Sequence, residues 1–334
     1  TPSNLHLVLA TRVDPDLPLA RLRVRGRLLE IRDRDLRFTE PEAAAFLTQG
    51  MGLPLTKGEV ATLHQRAEGW IAGLQLAALA SRKHERLSTF VADFAGSHRF
   101  LLDYVRQEIL AQLPEAVQDF MLQTAILPRM DAALCRAVTA SPSLEASQEM
   151  LEALERANLF LVPLDEERRW YRLHDLFREA LLAALHATRP ATAPVLHRRA
   201  AAFYEAQGAW SEAITHELAA ADYGEAARLM ERTIEVFMLQ GQAATMVQWV
   251  LALPAQQAHT YAHLILTAAL YLLNTVTYAT GEQRARMHAT VRQLIARVET
   301  ARAANQQARE DGQLQLRLRV LRLYLEFLDA AVRG

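Results

Sequence analysis

The chain has 334 residues, 51% of them hydrophobic, with 37 basic and 38 acidic side chains and a formal net charge of −1. That length suits two or three domains with cores of their own, and the balanced charge gives no global attraction to nucleic acid or to an anionic membrane surface. One cysteine, Cys135, excludes an intrachain disulfide and a cysteine-based metal site; it fits a reducing cytoplasm, and its apolar neighbours point to an inert core thiol.

Thirteen glycines and twelve prolines are few for this length and favour helices with few sharp turns. No apolar run reaches the roughly 18 residues of a membrane span. The longest, Leu264–Val276, is interrupted by Thr267 and Asn274. The first residues carry no basic region followed by an apolar core and a cleavage site.

In chain order, Leu5–Ala10 is a short apolar run that predicts a buried strand. A strand followed directly by helices implies partner strands upstream, and so a fragment of a longer protein. Asp14–Pro18 is a loop, Leu19–Leu22 a helical turn, and Leu28–Ile31 another extended piece. Thr39-Glu40-Pro41-Glu42 opens a helix, with Thr39 as cap, Pro41 in the first turn and acids at the positive end of the dipole. Thr56 and Glu59 form a capping box that opens a helix to Glu68. Gly69–Ser81, Asp103–Gln112 and Glu115–Thr124 are predicted as further helices.

Residues 131–185 change rhythm. Helices over Asp131–Thr139 and Leu144–Arg156 precede a strand over Asn158–Leu164, a polar turn and a return strand from Trp170 to Leu173. A helix follows from His174 to Leu185. Two helices, a strand–turn–strand wing and a helix make a winged-helix pattern. Thr188–Pro194 is predicted as a linker. Beyond it, Trp210-Ser211-Glu212-Ala213 and Tyr223-Gly224-Glu225-Ala226 recur at helical-hairpin spacing, a pattern similar to tetratricopeptide stacking. Glu299–Gly312 is charged and marks a loop or helix end; Gln313–Val332 is an amphipathic final helix.

These segments together resemble the MalT-like, LuxR-type large ATP-binding transcriptional regulators, a branch of the STAND signalling ATPases. The resemblance is carried by Leu7–Arg12, Arg37-Phe38-Thr39, the block Glu68-Gly69-Trp70-Ile71-Ala72-Gly73-Leu74-Gln75-Leu76-Ala77-Ala78-Leu79, Asp103-Tyr104-Val105 and Leu173-His174-Asp175-Leu176-Phe177. It implies a mainly α chain with four parts. Residues 1–37 are the end of a nucleotide-binding domain, contributing a remnant α/β strand. Residues 38–102 are a helical domain, 103–187 a winged-helix domain, and 188–334 an arm with TPR-like helical hairpins that begin a sensor.

The resemblance also implies roles. Arg12 matches the family's sensor arginine and would reach a γ-phosphate, since a guanidinium makes bidentate contacts with phosphate oxygens. His174, at a helix N-terminus, would donate to a β-phosphate and lock the ADP-bound state. Gly69, Trp70, Gly73 and Gln75 stand where relatives approach adenine and ribose; Gln75 departs from the proline usual in the wider superfamily. The implied cofactors are ADP or ATP with Mg in an intact parent protein. The implied partners are further copies of the activated protein and a small-molecule or protein inducer at the repeats, with DNA bound only through a separate C-terminal helix-turn-helix.

The sequence contains no Gly-x-x-x-x-Gly-Lys-Ser/Thr phosphate loop, so the chain itself is expected not to be an enzyme. The basic run Arg21–Arg37 reads as an ordinary amphipathic segment diluted by Glu30, Asp33 and Asp35. His259 and His263 lie one helical turn apart but lack an evident third metal ligand. The alternative reading is a freestanding helical-repeat scaffold that binds protein partners.

Overall fold

A computed structural model describes residues 7–11, 15, 17–81, 87–94, 99–276, 281–305 and 310–333. Among these the protein is mainly α-helical, with a single two-stranded antiparallel sheet. The chain divides into two compact units, Thr1–Leu196 and His197–Gly334.

In the first unit, α1 (Leu19–Val24) and α2 (Asp33–Leu36) are short. The strands expected over Leu5–Ala10 and Leu28–Ile31 are absent from their described residues. Leu7, Val8, Leu9, Leu29 and Ile31 are exposed instead. The reason is physical: an isolated strand leaves its backbone groups unpaired, and among the described residues no strand lies beside either segment to take them up.

Helix α3 (Glu40–Ala44) begins with the expected capping box, Glu42 accepting from the amide of Thr39 at 2.8 Å, and passes into a π-helical turn, Ala45–Gly50. The Thr56–Glu59 box opens α4 (Lys57–Ala67). Then follow α5 (Ile71–Ser81), α6 (Leu87–Asp93) and α7 (Arg99–Tyr104). From α7 the chain continues without a break through a π-helical turn, Val105–Ile109, and a 3₁₀ turn, Leu110–Gln112.

Helices α8 (Glu115–Thr124), α9 (Ala132–Thr139) and α10 (Leu144–Arg156) precede the wing, β1 (Leu161–Pro163) and β2 (Tyr171–Leu173). The wing pairs Leu161 with Leu173, Val162 with Arg172 and Pro163 with Tyr171, and Met130 extends it by exchanging two 2.8 Å hydrogen bonds with Tyr171. Asp131 and Ser143 cap α9 and α10 by accepting from Leu134 and Ala146. The core of this region is Met121, Leu127, Met130, Leu134, Leu151, Tyr171, Phe177 and Leu181, all fully buried. Cys135 is buried there too, and burial, followed by the charge of Asp131, pushes its thiol upward, so it stays protonated and inert.

Helix α11 (Asp175–Thr188) is followed after three residues by α12 (Thr192–Ala206). The predicted Thr188–Pro194 linker is therefore largely helical. Pro194 sits in the first turn of α12, where a missing amide costs nothing.

In the second unit, α13 (Trp210–Ala219), α14 (Tyr223–Leu239), α15 (Ala243–Ala252), α16 (Ala262–Val276), α17 (Gly281–Ala304) and α18 (Gly312–Arg333) pack mainly on their sequence neighbours. This is the nearest-neighbour pattern of stacked helical hairpins. Both aromatic–Glu–Ala segments open helices, as expected. None of the described helices is long and apolar enough to cross a membrane.

Candidate functional site

The site begins with how α4 ends. After Ala67 the backbone turns through two left-handed residues, Glu68 at φ 46° and Gly69 at φ 73°. Glycine accepts that conformation freely and a glutamate does so at a cost. Position 69 is also crowded: a Cβ there would lie 2.5 Å from the carbonyl oxygen of Phe38. The close approach is used, because the Phe38 amide donates to the Gly69 carbonyl at 2.9 Å. The Phe38 carbonyl in turn accepts from His64 Nε2 at 2.7 Å.

The turn aims the Glu68 carboxylate at the wing. Arg172 on β2 grips it with two prongs, Nη1 to Oε1 at 2.9 Å and Nη2 to Oε2 at 2.7 Å. The amide of Asp175, in the first turn of α11, donates to Oε1 at 3.3 Å. Arg37 Nη1 adds a longer contact to Oε2 at 3.4 Å and donates to the Glu68 carbonyl at 3.3 Å. A carboxylate at a helix N-terminus also meets the positive end of the dipole. Burial, the largest single influence, pushes the Glu68 carboxyl up; the hydrogen bonds from Arg172, the nearby His174, the Asp175 amide and the Arg172 charge outweigh it and bring it down to about 2.

His174 lies under this ion pair as the residue before α11, 1% exposed. Its amide donates to the Phe160 carbonyl at 2.8 Å, and its Nε2 lies 3.0 Å from the Ala67 carbonyl. A carbonyl only accepts, so Nε2 carries the proton and Nδ1 is a bare acceptor. Nδ1 is buried without a hydrogen-bond partner. Burial is the main reason that the imidazole is held below its ordinary pKa, with Glu68, 3.9 Å from Nε2, acting in the opposite direction.

The Gly-Trp block forms the apolar wall. The Trp70 ring sits 4.9 Å from Phe160, 6.0 Å from Tyr104 and 6.1 Å from His174, and Phe160 stacks on Phe177 at 4.4 Å. Gly73 lets α5 close on this wall: a Cβ there would be 2.8 Å from the Trp70 ring and 3.3 Å from Leu176. Tyr104 is the last residue before the π-helical turn, so that irregular turn borders the site.

Gly69, Trp70, Gly73 and His174 thus come together. Leu74 is buried in the core, whereas Gln75 is exposed on α5 and stands outside the cluster. Arg12 lies outside the described residues. Sequence reasoning missed Glu68 and Arg172 as the central pair, although both flank the motifs it singled out. In the basic run, Arg23 and Arg32 both pair with Glu30, and Arg37 pairs with Glu68. His263 pairs with Asp311 at 3.1 Å, and no group of three or more potential metal ligands occurs among the described residues.

A second titratable cluster in the second unit left no sequence signal. His197 and His216 face each other Nδ1 to Nδ1 at 2.8 Å, so one ring donates and the other accepts. Tyr204 stacks on His216 with ring centroids 5.5 Å apart. Burial and then His197 push His216 down to about 4. Next to it, Glu217 is 8% exposed with a buried, unpartnered Oε2; burial first, then Asp222 and Glu225, push it up to about 7.

Two antiparallel strands between helices, joined by the Met130 bridge from the loop before α9, define a winged-helix domain. The family model of the MalT winged helix domain matches residues 106–193. That stretch contains both Arg172 and His174, and it supports a MalT-like regulator.

Proposed function

We propose that this chain is the regulatory and signal-sensing core of an ATP-dependent, LuxR/MalT-type transcriptional activator, in which nucleotide state and effector binding together set oligomerisation. The observation that carries the reading is His174: a buried imidazole at a helix N-terminus, on a winged-helix domain of MalT type, with one ring nitrogen left without a partner. Buried polar atoms are nearly always satisfied, and each exception calls for a reason. A ligand group that completes the site is such a reason.

The exposed apolar side chains of Leu7, Val8, Leu9, Leu29 and Ile31 support a further surface that covers them in the intact protein. Bound ADP or ATP with Mg would supply phosphate charge. Of the residues described here, His174 fits that group through its unpartnered Nδ1, with Gly69, Trp70 and Arg12 assigned by resemblance.

The geometry limits how His174 would act in this reading. As placed, Nδ1 accepts and cannot donate to a phosphate oxygen. Donation from Nδ1 requires the ring to take up a proton or to release the Ala67 carbonyl. Glu68 stands where it stabilises the imidazolium, so the ion pair with Arg172 and the state of His174 are linked. In this reading the closed state keeps helical domain and wing locked through Glu68, and the active state loosens them, an allosteric change by differential binding to two arrangements. The chain alone has no ATPase activity in this reading, and its inducer acts at the helical hairpins.

The test is ADP affinity of the intact regulator, measured by calorimetry for the wild type and for His174→Gln. A loss of roughly 10-fold or more, as expected for a lost hydrogen bond to a charged group, supports the reading. Unchanged affinity in a variant of wild-type stability overturns the role of His174.

A further inference from the structure

Helix α18 has two apolar stripes. Leu314, Leu318, Leu321 and Leu325 are buried, on a helix that packs against α16. Leu316, Val320, Leu323 and Phe327 are 62, 49, 57 and 67% exposed. Both sets follow a 4-3-4 spacing. At 3.6 residues per turn they face directions roughly 160° apart. A helix apolar on opposite sides is built for neighbours on both, and among the described residues the second stripe stays uncovered.

We infer that the exposed stripe is the contact of α18 with a second copy of itself, running antiparallel about a twofold axis. The spacing of Leu316, Val320, Leu323 and Phe327 is that of a two-helix seam. Centring the twofold between Leu321 and Arg322 sets Leu316 against Phe327 of the second copy and Val320 against its Leu323. Each apolar side chain then meets another.

The charges choose the partner and the direction. Arg317 is engaged with the Thr267 hydroxyl at 3.2 Å, and Arg322 pairs with Glu299, so both are tied to their own unit. Arg319 and Glu326 are exposed and flank the same side of the stripe, seven residues apart. The antiparallel arrangement brings Arg319 opposite Glu326 of the second copy, and the twofold creates that pair twice. A parallel arrangement would instead set Arg319 near Tyr324 and form no opposite-charge pair across the seam. The surface is thus self-complementary in shape and charge, as a twofold contact requires. The inference stands on the helix alone and holds whether or not the regulator reading does.

The test is sedimentation of this chain from roughly 1 to 200 µM, a range that covers the weak association expected of a small interface. The expected result is a reversible dimer that Leu323→Glu converts to monomer. Arg319→Glu should weaken it about tenfold or more by facing acid to acid, and Arg319→Glu with Glu326→Arg should restore it to within about threefold. All three substitutions lie on exposed positions, so unchanged far-ultraviolet circular dichroism confirms that the fold persists. A monomer throughout the range overturns the inference. So does a dimer indifferent to Leu323→Glu, or a charge swap that fails to restore association.

Discussion

Arg172 and Glu68, separated by 104 positions in the chain, form a two-pronged ion pair with N–O distances of 2.9 and 2.7 Å. One sits on the wing and the other directly after α4, so the pair ties the end of α4 to the wing. Both side chains are partly buried, at 28 and 19% exposure. Partial burial makes the pair stronger than an ordinary surface contact and makes its disruption costly.

Removing one partner leaves the other charge half-buried and unpaired. Arg172→Met is expected to destabilise the first unit by about 1–3 kcal/mol, and Glu68→Gln by a similar amount. The double variant should lose less than the sum. A double-mutant cycle from chemical denaturation measures the coupling, and additive losses would show that the pair contributes nothing as a pair.

Acid should weaken this junction in two windows. The His174 pKa is lowered by folding, so the favoured neutral form contributes fully above the unfolded value of 6.5 and is lost as pH falls below it. The Glu68 pKa is lowered from 4.5 to about 2, so its contribution is complete above 4.5 and fades as pH falls toward about 2. The stability difference between wild type and Glu68→Gln should therefore be constant near neutrality and vanish near pH 2. Denaturation at a series of pH values checks this.

The turn at Gly69 has a steric requirement that thermal melts test. Gly69→Ala combines a left-handed backbone with a Cβ 2.5 Å from a carbonyl oxygen, and should cost about 2–4 kcal/mol. Gly26→Ala shares the positive φ but meets nothing within 4 Å, and should cost only about 1 kcal/mol. Gly73→Ala should displace the indole ring and change Trp70 fluorescence.

Glu217 should behave oppositely to Glu68. Its folded pKa of about 7 lies above the ordinary 4.5, so its neutral form is favoured: stability is full below 4.5 and is lost as pH rises toward about 7. Glu217→Gln should leave stability unchanged in acid and raise it by about 1–3 kcal/mol above pH 7. A variant that is less stable at pH 8 would mean that the charged carboxylate has a stabilising partner.

Local signals were legible in the sequence. The capping boxes at Thr39 and Thr56 and the bounds of α8 and α10 depend on residues within one turn of each other, and they stand as expected. The wing was legible because an apolar strand, a polar turn and a return strand need only each other. The failures are of a different kind. Leu7–Ala10 and Leu28–Ile31 have strand composition, but a strand exists only beside another. The π-helical turn at Val105–Ile109 widens a helix for reasons of tertiary packing. In the candidate site, the motifs around Gly69 and His174 marked the place, yet nothing local pairs Glu68 with Arg172 or His197 with His216. Such pairs are made by the fold.

Phe38 shows what this joinery does to the segment before it. Its amide is held by Gly69 and its carbonyl by His64, on either side of the last turn of α4. The chain entering from residue 37 therefore arrives with no slack. Any pull on it must either break these two bonds or draw the end of α4 along, and Arg172 with it. The segment before Phe38 is thereby fastened to the end of α4, next to the Glu68 carboxylate that Arg172 of the wing holds.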